Sequence, residues 1–298
     1  MNLGYACINM TLGKAVTTNR GMVKRTLLAK GPDWVSELAL ANAKDIIKIL
    51  EWNRTKGIRL FRLTSALIPW GDSLDITKLK DYEAISTELR KAGDFAREHG
   101  MRITTHPGPF NVLVSPNPAV VDKTIQDLEM HGQIFDMMSL DRSPYNKINI
   151  HCNGVYGDKR AAMDRFCENF KRLSHSVRSR LTVENDDKAS MYSVMDLWYI
   201  WGKIGTPIVF DYHHHGFCTG DLTEEEALKL AAETWPAEIR PVVHYSESKA
   251  LHEGDTKLKP QAHSDYIKAL PNTYGLDVDI MVEAKAKELA ILPFIPNH

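Results

Sequence analysis

Six times along this chain, a short apolar or β-branched run stops on a side chain able to hold a metal ion. Ile103-Thr-Thr ends on His106, Ile148-Asn-Ile on His151 and Leu181-Thr-Val on Glu184. Ile208-Val-Phe ends on Asp211, Val242-Val on His244 and Ile280-Met-Val on Glu283. Each run is separated from the next by a segment that reads as helix. A single run of this kind would be chance. Six in order imply parallel strands that deliver ligand-type side chains to one rim, which is how a barrel enzyme builds its site.

Eight strand candidates can be read: Leu3–Cys7, Ile58–Leu63, Arg102–Thr105, Lys147–Ile150, Leu181–Val183, Ile208–Phe210, Pro241–Val243 and Asp279–Val282. Between them lie helical patterns over Asp33–Lys56, Leu79–His99, Pro118–Ser139, Lys159–Val177, Met191–Lys203 and Thr223–Glu233, with a weaker one near Ser264–Leu270. Thr223-Glu-Glu-Glu226 is a capping box, and Pro118 after Asn117 suits a first helical turn. Gly57, Gly100 and Gly205 each fall just before a strand, where a left-handed helix stop costs least. Strands and helices alternating at this spacing predict parallel βαβ units. Eight units close into a single (β/α)8 TIM barrel with its site at the C-terminal rim. An open doubly wound sheet is the alternative, weakened by the lack of a Gly-rich phosphate loop after the first strand. Residues 1–298 read as one domain, with a short C-terminal tail from about Ile291.

Hydrophobic residues make up 43% of the 298 and charged ones 25%, enough to bury a full core without staples. The net charge of −1 excludes a uniformly basic surface but not a local basic loop that binds nucleic acid. Cys7, Cys152, Cys167 and Cys218 form no CxxC pair and read as reduced thiols. No cationic leader and no apolar stretch of about 18 residues is present, so a soluble intracellular protein is expected, with no membrane and no protein partner implied.

Imidazoles and carboxylates without thiolate suit Mn, Zn or Fe. A lone strand-end histidine is more often a hydrogen-bonded structural residue than a ligand. The joint pattern reverses that for His106, His151, Glu184, Asp211, His244 and Glu283. His214 competes with His213 and His215, and the D-x-x-H spacing from Asp211 favours it. Glu184 could bridge two ions, and divalent ions about 3.5–4 Å apart suit phosphoryl chemistry. His263 lies off any strand and has the weakest case from pattern alone. His99, His131 and His175 read as surface or helix-end residues. Cys152, next to His151, should point into the core.

No acidic residue precedes Asp33, whereas Lys14, Arg20, Lys24, Arg25 and Lys30 fall in that stretch, beyond the first strand. Lys257 and Lys259 lie in the seventh rim loop, and Lys285 and Lys287 follow the eighth strand. Any one lysine is most simply solvated charge. Their concentration on one rim favours a polyanion such as a nucleic-acid backbone. His106-Pro-Gly-Pro-Phe110 sets a rigid turn and an aromatic just past a ligand. Phe110 is either loop packing or a wedge that enters a base stack.

At these residues the sequence resembles the UV damage endonuclease family. The matching segments are Leu3-Gly-Tyr-Ala-Cys-Ile-Asn9, Thr17-Thr-Asn19, Phe61-Arg62, Leu67-Ile-Pro69, His106-Pro-Gly108 and His151-Cys-Asn-Gly-Val-Tyr-Gly157. Glu184-Asn-Asp186, Asp211-Tyr-His-His214 and Met281-Val-Glu-Ala-Lys285 follow in family order. The resemblance implies a barrel related to apurinic endonuclease IV and the xylose isomerases. It implies a manganese-dependent DNA repair enzyme, with Zn²⁺ as the alternative ion, acting on damaged double-stranded DNA. Such an enzyme nicks immediately 5′ of cyclobutane dimers and 6-4 photoproducts, with abasic sites as a further substrate. It makes His106, His151, Glu184, Asp211, His214, His244, His263 and Glu283 metal ligands, and Glu184, Asp211 and Glu283 the catalytic carboxylates. Tyr5, Asn9, Pro109, Phe110, Arg20, Lys285 and Lys287 become contacts to DNA or lesion. An abasic-site endonuclease of the endonuclease IV type and a metal-dependent sugar isomerase or epimerase are the rival readings.

Two departures from the family pattern stand out. Relatives tend to carry Lys-x-His on the seventh strand, and here the lysine position is Val242, which faces the site without a ligating atom. By analogy with endonuclease IV, the resemblance implies one ion held by His106, His151 and Glu184, and a second by Glu184, Asp211, His244 and Glu283. The third is left with His214 and His263, and is expected to be weak or empty. Relatives often have Gln-Tyr after His-Pro-Gly, and this chain has Pro109-Phe110, which keeps the stacking face but changes the polar contact.

Overall fold

The computed structural model describes residues 1–296. Its strands are β1 (Leu3–Ala6), β2 (Leu60–Leu63), β3 (Arg102–Thr105), β4 (Ile148–His151), β5 (Leu181–Glu184), β6 (Ile208–Val209), β7 (Val242–Tyr245) and β8 (Asp279–Val282). All pair in parallel, in the order β6-β5-β4-β3-β2-β1-β8-β7. A parallel bridge between Asp211 and His244 joins the two ends of that order, with the His244 amide donating to the Phe210 carbonyl at 2.9 Å. The ring is the expected (β/α)8 barrel, and the open doubly wound sheet is overturned.

Strand alternation divides the side chains between two environments. Tyr5, Phe61, Ile103, Ile148, Ile150, Leu181, Val183, Ile280 and Val282 point outward into the large core beneath the helices. Burying each such side chain contributes about 1.5–3 kcal/mol. Inward, Ala6, Leu60, Val209, Val242 and Met281 pack with Trp235 into a small apolar group of their own. The rest of the barrel interior is polar: Arg102, Thr104, Lys147, Asn149, Thr182 and Asp279 are all buried. Arg102 reaches Asp279 at 3.2 Å and donates to the carbonyls of Pro144, Tyr145 and Arg240.

The helices are α1 (Lys24–Thr55), α2 (Tyr82–Glu98), α3 (Pro118–Met137), α4 (Lys159–Phe170), α5 (His175–Arg178), α6 (Val194–Ile204), α7 (Tyr212–His215), α8 (Glu224–Glu233), α9 (Lys249–Glu253) and α10 (Glu288–Ile291). The Asn117 and Thr223 caps and the left-handed Gly205 stop fall where the sequence places them. Three expectations need correction. The first helix begins earlier, because Gly31 (φ 72°, ψ −173°) joins a basic helical segment to the longer one that starts at Pro32. That backbone region is open essentially to glycine alone. The segment read as Lys159–Val177 breaks after Phe170 and restarts at His175, where the Ser174 hydroxyl accepts from the Val177 amide. Ser264–Leu270 is not helical, and α9 forms upstream of it instead. No described helix is long and apolar enough to cross a membrane.

Candidate metal centre

The inward-facing strand ends converge as their order requires. His151 and Glu184 are the last residues of β4 and β5, His106 and Glu283 follow β3 and β8 directly, and His244 lies within β7. Asp211 precedes α7, where its Oδ1 accepts from the His214 amide at 2.8 Å. That cap turns His214 back over the rim. His263 arrives from the long loop after β7, its neighbour Ser264 donating to the Glu247 carbonyl.

Glu184 is the hub. Its Oε2 lies 3.1 Å from His106 Nε2, 3.8 Å from His151 Nε2 and 3.0 Å from His244 Nδ1. Its Oε1 lies 3.4 Å from His214 Nδ1. His244 Nδ1 is also 3.2 Å from Glu283 Oε1. Donor atoms of His106, His151 and Glu184 lie within 4.8 Å of one another, and so do those of Glu184, Asp211 and His244. His214 and His263 belong to neither group, and their rings are 6.4 Å apart. Their Nδ1 atoms lie 3.0 Å from the carbonyls of Asn185 and Glu283, which leaves Nε2 for any ligand.

Glu184 Oε1, Asp211 Oδ2, His151 Nδ1 and His244 Nδ1 are buried without a hydrogen-bond partner. A bare buried polar atom costs about 1–3 kcal/mol, which a cation among them would relieve. The charge states fit as well. Burial opposes ionisation of Glu184, but His244, His151 and His106 outweigh it and hold the carboxyl well below its ordinary range. Burial also opposes ionisation of Glu283, and Arg62 and His244 lower its pKa. Burial keeps His106 below its ordinary value and takes His244 down to about 4. At His151 burial is outweighed by Glu184, Asp186 and Asp211, and the pKa rises to about 9. His106 and His151 thus move in opposite directions beside the same carboxylate, because Arg62 faces the first and Asp186 the second. Burial pushes Asp211 up to about 7, with Glu184 and Glu283 adding to the rise. A divalent ion needs neutral imidazoles and ionised carboxylates, so its binding would release the His151 proton. Imidazole and carboxylate donors with no thiolate among them suit Mn, Zn or Fe.

All eight ligand candidates therefore face one rim, five of them (His106, His151, Asp211, His214 and His244) with donor atoms set against Glu184. Cys152 is buried in the outer core, as strand alternation requires. His131 is not a surface residue: it is 2% exposed, on the inner side of α3. His213 Nε2 lies 3.1 Å from the Gln261 carbonyl, close to His263, whereas His215 packs against Phe210. Several residues of the centre had no role assigned from sequence. Arg62 pairs with Glu283. Asn149 donates to Glu184 Oε2, and Asp186 stands 3.2 Å from His151 Nδ1. Asn185 brackets Asp211, accepting from its amide at 2.8 Å and donating to its carbonyl at 3.0 Å. Lys147 is buried with Nζ 3.0 Å from His244 Nε2, and that burial lowers its pKa to about 7. The available signal was spacing: Lys147 and Asn149 sit four and two residues before His151, on the same strand face.

Around the rim the expected DNA contacts divide. Pro109 is exposed and Phe110 is 88% exposed at the loop tip beyond His106. Lys14, Lys24, Arg25, Lys30, Lys257, Lys259 and Lys285 are exposed, and Lys287 is half-buried. Tyr5, Asn9 and Arg20 depart from expectation. Tyr5 points out of the barrel and is fully buried, its hydroxyl donating to Asn53 at 2.7 Å and accepting from Asn9 at 2.9 Å. Asn9 is buried too and accepts from the Leu12 amide. Arg20 is held at 2.6 Å by Asp45 and donates to the carbonyls of Ala15, Thr17 and Ala41. All three order the loop after β1, Tyr5 and Asn9 from buried positions and Arg20 from a partly exposed one.

The UV-endonuclease UvdE family matches residues 1–297. A UV-damage endonuclease of Neurospora crassa is 37% identical over 273 residues, 88% of this chain and 41% of that protein. The UV-damage endonuclease of Schizosaccharomyces pombe is 35% identical over 301 residues, 97% of this chain and 49% of that protein. The chain thus spans about half the length, or less, of these two relatives. The crystal structure of SacUVDE superposes with a TM-score of 0.86 at 31% identity, covering 99% of this chain and 96% of its own. A match along nearly the whole sequence, carried into the fold, means that this chain belongs to the UV-endonuclease UvdE family.

Proposed function

We propose that this protein nicks the DNA phosphodiester immediately 5′ of UV photolesions by metal-assisted hydrolysis. The observation that carries the reading is Glu184, one buried carboxylate shared by two groups of metal donors on an open barrel rim. One ion would be held by His106, His151 and Glu184, and a second by Glu184, Asp211, His244 and Glu283, with Mn²⁺ the ion the resemblance favours and Zn²⁺ the alternative. When bound, such ions supply an activated water and neutralise charge on the phosphoryl oxygens.

The chain's own groups do the rest. Lys257, Lys259, Lys285 and Lys14 hold the phosphate backbone from the rim, a contact that weakens with salt. Phe110 enters the base stack with Pro109 stiffening the turn behind it, which exposes the lesion. Asn149 and Arg62 fix the orientations of Glu184 and Glu283, so donor geometry is set before substrate arrives. Water oxygen bonds to phosphorus as the bond to O3′ breaks, and the leaving oxygen takes a proton to give a 3′-hydroxyl and a 5′-phosphate. His214 and His263 form the sparse end of the cluster, so a third ion is expected to bind weakly or not at all. Three tightly held ions per chain would refute that last point.

The test is relaxation of supercoiled plasmid, irradiated or not, with Mn²⁺. Nicking of the irradiated plasmid alone, abolished by chelation, is expected. Equal nicking of both plasmids, or nicking confined to abasic DNA, would remove the photolesion assignment.

A further inference from the structure

The Phe110 ring is 88% exposed, so packing gives it no fixed place, yet a wedge has to meet the base stack at a set point. Its position comes from the backbone beneath it, and one residue governs that backbone. Gly108, Pro109, Phe110 and Asn111 form a turn in which the Asn111 amide donates to the Gly108 carbonyl at 3.3 Å. Proline sits at the second position, where its fixed φ favours such a turn. The Asn111 side chain closes the turn a second time, Nδ2 donating to the same carbonyl at 3.1 Å.

Asn111 also fastens the turn to the rest of the molecule. Its Nδ2 donates to Asp127 Oδ2 on α3 at 2.6 Å, and its carbonyl accepts from Asn153 Nδ2, in the loop after β4, at 3.1 Å. The next residue continues the tie, the Val112 amide donating to the Thr124 hydroxyl on α3 at 2.9 Å. Asn111 is 3% exposed, and its Oδ1 has no partner among the described residues. Burying an amide with an unpaired oxygen is costly, and an apolar side chain would pack there more cheaply. The donor side of the amide is what that cost retains. The amide is not free to turn over, because Oδ1 would then face the Asp127 carboxylate.

Both anchors of the turn start from the metal centre. His106 lies two residues before Gly108 and His151 two residues before Asn153, and both histidines share one donor group with Glu184. The separation between the Phe110 backbone and those donors is thus held from two sides. We propose that Asn111 is a positioning residue that sets which phosphodiester is cut: by clamping the Phe110 turn between α3 and the loop after β4, it keeps the wedge at one distance from the metal donors. The inference rests on the reading of Phe110 as a wedge in a metal-dependent nuclease. A wedge seated in the stack locates the lesion, and a wedge fixed against the donors brings one phosphate to them in a reactive geometry.

The test uses the full chain and an end-labelled duplex with one photolesion at a known position, cut with Mn²⁺ and resolved to single nucleotides. Wild type should give one product length. Asn111→Ala should spread the cuts over neighbouring bonds and lower kcat by up to about 10²-fold, the scale for a misplacement of about 1 Å. Its Mn²⁺ affinity and its Kd for unirradiated duplex should stay at wild-type values, because the donors and the rim lysines are untouched. Asp127→Ala and Asn153→Gly remove the two outer ties with Asn111 in place, and each should reproduce the spread even if Asn111→Ala does not fold. Glycine suits the positive φ of Asn153, 61°. With Phe110→Ala already present, Asn111→Ala should change the cut pattern no further. Folded variants that all cut only at the wild-type bond would overturn the proposal, and so would a fall in rate that matches a loss of Mn²⁺ affinity. Phe110→Ala with wild-type cuts and wild-type lesion discrimination fails the wedge reading itself, a result distinct from a Phe110-dependent enzyme whose cuts ignore Asn111.

Discussion

At the residue scale, Glu184 and Phe110 mark two extremes of this rim. Glu184 is buried among imidazoles and shared by both donor groups, so no other single side chain is as central. Glu184→Gln should lower Mn²⁺ affinity at both sites and cut the nicking rate by at least roughly 10²–10³-fold, the scale for removing one preorganised electrostatic group. Wild-type rates on irradiated plasmid would sink the assignment. Phe110 is 88% exposed and supports nothing beneath it. Phe110→Ala should therefore leave the melting temperature nearly unchanged, within about 0.5 kcal/mol of stability. It should also narrow the difference in nicking between irradiated and unirradiated DNA while Mn²⁺ binding stays intact. Unchanged discrimination would reassign the aromatic to loop packing.

At the element scale, the loop after β1 is ordered by ties to α1 rather than by substrate. Asp45 on α1 meets Lys48 at 2.7 Å, Arg20 at 2.6 Å and the Thr17 amide at 3.1 Å. Burial alone would raise its carboxyl, but the hydrogen bonds from Lys48, Arg20 and Thr17 hold it below its ordinary value. A lowered folded-state pKa gives stability that is present above the unfolded value of about 4 and lost as pH falls through the folded one. Melting curves of wild type and Asp45→Asn should thus differ at neutral pH, by about 1.5–3 kcal/mol for lost charged hydrogen bonds, and converge in acid. A constant difference down to low pH would place the effect elsewhere. Strand positions were legible from sequence because four residues of alternating character suffice to set a face. The break between α4 and α5 was not, since Ser174 acts as a cap only once Phe170 has turned the chain into the core.

At the scale of the whole molecule, the barrel carries its polar interior on a floor that Arg102 closes. Arg102 is 1% exposed and Asp279 2%, and the pair joins β3 to β8 across the ring. Removing one partner of such a buried pair costs about 3–5 kcal/mol, because the other charge is left uncompensated. Asp279→Ala should lower thermal stability on that scale while Mn²⁺ binding at the opposite end persists in whatever fraction stays folded. Loss of metal binding without loss of stability would contradict this separation of floor and rim.

What the sequence determined by itself is the rim: which side chains end which strands, and therefore that six metal-type donors meet, with His214 added by its spacing from Asp211 and His263 only by the family resemblance. That much is legible because strand alternation has a period of two and a parallel barrel delivers every strand end to the same side. Only the tertiary structure decided how those donors are held and which neighbours are free. Tyr5 and Asn9 lie beside the rim in sequence, yet β1 turns Tyr5 toward α1, where Asn53 holds it. Lys147 and His244 meet although 97 positions separate them, and Arg62 and Glu283 although 221 do. No local pattern encodes such pairs, because they exist only when the ring has closed and its interior has been taken out of water.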